Sequence, residues 1–150
     1  MRFLLSCLLL AGLATTPVFA ETDDDDDEIA RPLAGLMAAP NRTKLPEVML
    51  SVGEPLGGPW ELRSGGYYSV EITSDGSGEI GLAGADFFHA IWVDEVVIEG
   101  LEVRPTGLHS LEFDDPGTMK ITFIAVKPGS YALSIPGSTG ESQRLAITIE

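Results

Sequence analysis

From residue 47 onward, apolar and polar positions alternate along the chain. Tyr68, Val70 and Ile72 interleave with Ser69, Glu71 and Thr73; Met119, Ile121, Phe123 and Ala125 interleave with Lys120 and Thr122; Leu145, Ile147 and Ile149 repeat the pattern. A spacing of two sends successive side chains to opposite faces of an extended chain, so these segments are predicted as strands with one buried face. That reading puts Met119 inward, in the core. Gly57-Gly58-Pro59, Gly65-Gly66, Asp75-Gly76-Ser77-Gly78, Asp115-Pro116-Gly117 and Pro128-Gly129 stand between the apolar runs. They supply the positive-φ and fixed-φ residues that turns require. Many short strands between closely spaced turns predict an all-β sandwich over residues 47–150, long enough for one continuous core.

Ahead of residue 47 the pattern changes. Arg2 precedes the apolar run from Phe3 to Leu13, and Val18-Phe19-Ala20 sets small or β-branched residues where a signal peptidase reads. Residues 1–20 are therefore predicted as a signal peptide cut after Ala20, which leaves no stable membrane insertion. The other reading, a retained anchor, needs roughly 20 apolar residues, and the run is shorter than that. Residues 21–46 are predicted as a disordered acidic leader and linker, because Glu-Thr-Asp-Asp-Asp-Asp-Asp-Glu repels itself and offers no apolar surface to bury. Two roles are open to the leader: a solvated segment that keeps the chain soluble, or a tail that steers partners and holds cations weakly, with nothing to fix their coordination geometry. Ile29, Leu33, Leu36 and Met37 recur at helical spacing, so residues 29–39 form either a short amphipathic helix, weakened by Pro32 and Gly35, or a loosely packed leader. Asn41-Arg42-Thr43 fits a glycosylation sequon, which has meaning only in a eukaryotic host.

Charge and cysteine content narrow the function. The chain carries 23 acidic and 9 basic residues, a formal net charge of −14, and loss of Arg2 with the signal makes it one unit more negative. Such a surface repels nucleic acid and anionic membranes, whose binding depends on basic side chains, and it favours a basic protein partner. Cys7, the single cysteine, lies inside the signal run and too early to be a lipobox cysteine, so the mature chain is predicted to have no disulfide and no thiolate metal ligand. The sequence has no Gly-x-Ser-x-Gly elbow, no His-Glu-x-x-His, no Walker loop and no Rossmann glycine pattern. Asp114-Asp115 reads as turn chemistry ahead of Pro116-Gly117, and Asp75 to Glu79 as a hairpin turn. No enzyme class is indicated.

Gly129 to Ile149 reads GSYALSIPGSTGESQRLAITI: a turn, a strand, a Gly/Ser loop and an alternating strand. It resembles the metal-site hairpin of the cupredoxins, where a Tyr is followed four residues on by Cys, then by His and an axial Met or Gln. Against the plastocyanin-type hairpin Tyr131 falls on the family Tyr, while the Cys, His and axial positions hold Ile135, Ser138 and Gln143. Residues 86–93, Asp-Phe-Phe-His-Ala-Ile-Trp-Val, resemble the segment of the cytochrome oxidase subunit II copper domain whose His binds copper, and Thr118 to Tyr131 continue the likeness. The resemblance spans residues 47–150. It implies a Greek-key β-sandwich of cupredoxin type in which His89, Ile135, Ser138 and Gln143 converge at one end.

Ile135 cannot coordinate a metal and Ser138 is a poor ligand, so the resemblance implies a lost thiolate copper centre and no expected cofactor. The alternative is a weak type-2-like copper(II) site using His89 and Gln143 with oxygen ligands. His89 otherwise reads as a partly buried structural histidine among Phe87, Phe88 and Trp92. His109 reads as a surface residue, or as a second imidazole beside Asp86 or Glu112. Met1, Met37, Met49 and Met119 do not cluster as a copper(I) carrier would require. The implied function is that of a periplasmic or secreted accessory protein, working through protein–protein contacts in a redox or metal pathway.

Overall fold

A computed structural model describes residues 35–150. The predicted signal peptide, the acidic block 21–28 and the first part of segment 29–39 lie outside the described residues. The remainder of that segment is a bend and turn at Gly35–Met37 followed by a 3-10 turn over Ala39–Asn41, with Pro40 pre-set for its first positions.

Among the described residues eleven strands and one α-helical turn follow, with a second 3-10 turn over Glu141–Gln143 between the last two strands. They are β1 (Arg42–Lys44), β2 (Val48–Leu50), β3 (Trp60–Leu62), β4 (Tyr67–Ser74), β5 (Ile80–Ala83), α1 (Ala85–Phe88), β6 (Ile91–Ile98), β7 (Leu101–Val103), β8 (Ser110–Phe113), β9 (Gly117–Ala125), β10 (Gly129–Ser134) and β11 (Arg144–Ile149). One sheet has the order β1-β4-β9-β6-β7, with β2 also paired to β4; the other has the order β3-β11-β10-β5-β8. The chain changes sheet between β2 and β3, β3 and β4, β4 and β5, β5 and β6, β7 and β8, β8 and β9, and β9 and β10. This is a two-layer Greek-key sandwich.

The alternation read from sequence is what closes the layers. On β4 and β9, paired antiparallel from Tyr67↔Ile124 to Ser74↔Gly117, the residues Tyr68, Val70, Ile72, Met119, Ile121, Phe123 and Ala125 are buried in the core. They face Leu133 of β10 and Leu145, Ile147 and Ile149 of β11, all buried in the same core. Phe87 joins the layers, with its ring 6.2 Å from Trp60 and 5.7 Å from Phe123, both edge-on. Each such buried side chain is worth about 1.5–3 kcal/mol relative to exposure, and edge-on ring pairs add to that.

Three features depart from the sequence reading. The sheet reaches back past residue 47: Arg42–Lys44 pairs in parallel with Tyr67–Ser69, and a three-residue strand carries no periodicity to read. Residues 75–79 do form a turn, closed by the Ser77 N–H donating to Asp75 Oδ1 at 2.8 Å, but the strands it joins lie in different sheets, so it is not a hairpin. On β6 the pairing with β9 slips between Val93 and Glu95. The extra residue, Asp94, accepts a part-buried hydrogen bond from the Tyr67 hydroxyl at 2.9 Å and pairs with Arg104 at 3.0 Å. Burial, and then the Asp94 carboxylate, push the Tyr67 hydroxyl above its ordinary titration range.

Candidate functional site

β10 and β11 pair from Gly129↔Ile149 to Ser134↔Arg144, and the chain between them folds back on itself beyond that end. The Ile135 N–H donates to the Gln143 carbonyl at 3.2 Å and the Ser138 N–H to the Ile135 carbonyl at 3.1 Å. The Ser138 hydroxyl donates to Gln143 Oε1 and accepts from the Gly140 N–H at 3.2 Å. These bonds hold Ile135, Ser138 and Gln143 together in the lining of an open hollow of about 600 Å³. Glu79, Gly81 and Glu112 line the same hollow; Gly81 and Glu112 are partners in the β5–β8 register. The charged residues of the lining are both carboxylates.

Three of the four residues expected to converge do so. His89 does not. Ala83 pairs with Ser134 at the loop end of β10; a Cβ on Gly84 would lie 2.4 Å from Leu133 Cδ2; the Phe87 ring is 6.4 Å from that of Tyr131; and the Ala90 carbonyl accepts the N–H groups of Val126 and Lys127. Residues 83–90 thus run the length of β10 toward its start, and His89 emerges beside the β9–β10 turn, roughly 17 Å along the strand from the Ser138 loop. It is also exposed rather than partly buried, because it caps α1, whose buried face carries Phe87 and Phe88. His109 is exposed just ahead of β8, as expected.

This donor set does not fit copper. No group of three or more His, Cys, Asp or Glu that could hold a metal ion occurs among the described residues. At the hairpin loop Ile135 offers no donor atom, and the Ser138 hydroxyl and Gln143 amide oxygen are spent on each other. Neither the thiolate arrangement nor a His89–Gln143 pair is assembled.

A second, smaller hollow of about 290 Å³ lies beside β1, β4 and β9, lined by Ala39, Arg42, Lys44, Ser69, Glu71 and Lys120 among others. Lys44 Nζ sits 2.8 Å from Glu71 Oε2. The hydrogen bond and the opposite charge raise the Lys44 ammonium above its usual range and hold the Glu71 carboxyl below its own. Neither the acidic pair of the first hollow nor this basic group was evident from sequence, since each is gathered from distant strands with no local spacing to reveal it.

No protein-family model matches the chain, and no curated protein matches it. Among solved structures it is similar to a blue copper oxidase from Nitrosomonas europaea, at 10% identity and a TM-score of 0.50 over 63% of this chain and 31% of that one. It is also similar to a multi-copper oxidase from Pseudomonas thermotolerans, at 14% identity and a TM-score of 0.53 over 74% of this chain and 30% of the other. The matched region is therefore under a third of each oxidase. At these identities the likeness concerns the fold alone: the chain is a cupredoxin-like β-sandwich.

Proposed function

We propose that the protein is an exported, cupredoxin-like binding protein that has lost the thiolate copper centre and holds a cationic segment of another exported protein at the end of the β10–β11 hairpin. One observation carries the reading: beside Ile135, Ser138 and Gln143, three of the four ligand positions of the resemblance, there is a hollow of about 600 Å³ whose charged lining, among the described residues, is Glu79 and Glu112. Carboxylates together with the polar Ser138 and Gln143 in the same lining suit a lysine or arginine side chain. Exposed ion pairs contribute about 0.2–1 kcal/mol each, so the contact is weak and salt-sensitive, and the net charge of −14 speeds encounter with a basic partner.

Calorimetric titration of a lysine-rich peptide at low salt tests this, using a chain in which Asp23 to Asp27 are changed to Asn so that the leader does not compete. Glu79→Gln with Glu112→Gln is expected to weaken binding about tenfold, equivalent to about 1.4 kcal/mol. Unchanged affinity would overturn the proposal. Export has its own check: expressed in a bacterial host with residues 1–20 intact, the chain is expected in the periplasmic fraction with Glu21 as its first residue.

A further inference from the structure

We infer that the hollow beside β1, β4 and β9 binds a hydrogen phosphate ion. Its lining gathers Arg42, Lys44 and Lys120 with a single carboxylate, Glu71, in a chain that has only 9 basic residues against 23 acidic ones. Lys44 is paired with Glu71 at 2.8 Å, but among the described residues no salt bridge engages Arg42 or Lys120. Arg42 acts on the Tyr67 hydroxyl, which burial and the Asp94 carboxylate keep protonated and so uncharged. Three cations against one carboxylate leave the lining with an excess of positive charge.

Two hydroxyls without partners make this more than a basic patch. Ser69 lines the hollow and is only 7% exposed, yet its side chain has no hydrogen-bond partner among the described residues. In the β4–β9 register it stands opposite Thr122, so both side chains leave the same face of the sheet, and the next pair on that face is Glu71 with Lys120. Thr122 is fully buried and its hydroxyl is also unpartnered. Buried hydroxyls are ordinarily paired, so this part of the lining is short of an acceptor. An oxyanion supplies one: its oxygens accept from the Ser69 hydroxyl and, in charge-assisted bonds, from the Arg42 guanidinium and the Lys120 ammonium. Glu71 then decides which oxyanion is held. Lys44 keeps its carboxyl ionised, so Glu71 repels an ion that offers acceptors alone, as sulfate does at neutral pH. Hydrogen phosphate carries a proton that it can donate to Glu71 while its other oxygens accept. The net charge of −14 opposes the approach of any anion, but that repulsion is screened beyond about 10 Å at 0.1 M salt, while contact pairs persist.

Amide NMR titration of the full chain with sodium phosphate, at neutral pH and fixed ionic strength, tests the inference. Saturable shifts are expected at Arg42, Ser69 and Lys120. Sulfate is expected to bind at least tenfold more weakly, and so is glycerol phosphate, an ester whose second pKa of about 6 leaves it mostly without a proton. Arg42→Gln is expected to weaken phosphate binding about tenfold and Ser69→Ala to weaken it as well, while Glu71→Gln is expected to remove the discrimination against sulfate. Shifts that chloride reproduces, sulfate binding as tightly as phosphate to the native chain, or unchanged affinity in both the Arg42 and Ser69 variants would overturn the inference. Glycerol phosphate binding as tightly as the free ion would contradict the assignment to hydrogen phosphate.

Discussion

Thr122 sits on β9 between Ser69 and Glu95 of its neighbours, is 0% exposed, and its hydroxyl has no hydrogen-bond partner among the described residues. A buried unsatisfied polar group costs about 1–3 kcal/mol. Thr122→Val removes the hydroxyl and keeps the β-branched shape that a strand favours, so it is expected to stabilise the protein by about 1 kcal/mol, seen as a rise of a few degrees in Tm. Asp94 is the opposite case. Asp94→Ala removes the acceptor of the Tyr67 hydroxyl and one of the three carboxylates around Arg104, and is expected to cost about 1 kcal/mol in denaturant unfolding. Sequence reading did not foresee this role, because the bulge that turns Asp94 toward Tyr67 arises from the pairing of β6 with β9. His89 eluded it for a related reason: its aromatic neighbours in sequence suggested burial, yet a single helical turn sends Phe87 and Phe88 inward and His89 outward.

Among the elements, β11 was legible because burial alternates strictly along it, and β4 and β9 because apolar residues alternate with polar ones along part of each, even though Tyr67, Ser69, Thr122 and Ile124 on their other face are buried too. The β10–β11 hairpin was legible as well, and with it the grouping of Ile135, Ser138 and Gln143, since a hairpin loop brings its own residues together. What could not be read was where residues 84–90 run, because that depends on a close approach between α1 and β10 rather than on any local pattern. Gly84 permits the approach: a Cβ there would lie 2.4 Å from Leu133 Cδ2 and 3.0 Å from the Ala132 carbonyl oxygen. Gly84→Ala is expected to destabilise by about 1–3 kcal/mol by forcing α1 off β10. Gly129 plays a similar part at the other end of β10. Its φ of +154° and the Tyr131 hydroxyl, 2.8 Å from where a Cβ would stand, leave no room for a side chain under the ring. Tyr131 in turn closes the β9–β10 turn by donating to the Lys127 carbonyl at 2.9 Å.

For the molecule as a whole, the acidic composition makes pH a selective probe. The Asp75 carboxyl is held below its usual range, first by the Ser51 hydroxyl, which donates to it at 2.6 Å, and then by Ser77; Glu71 is held low by Lys44. Carboxyls with lowered pKa in the folded state contribute stability that is present above the unfolded value near 4 and is lost as pH falls through the folded value. Protonation also relieves the general repulsion of a chain at −14, so the comparison that isolates Asp75 is between variants. The stability gap between the native chain and Asp75→Asn is expected to be widest near pH 6 and to close below about pH 4, as followed by urea unfolding.

At the same scale, the fold is similar to that of copper-oxidase domains, and the proposed site beside the β10–β11 loop is lined by the carboxylates Glu79 and Glu112. An amide NMR titration with a lysine-rich peptide, run on the chain with Asp23 to Asp27 changed to Asn, tests that site most directly. Shifts confined to Glu79, Gly81, Glu112, Ser138 and Gln143 are expected; shifts centred on His89, Trp92 and Val126 at the other end of β10, or none at all, would contradict it.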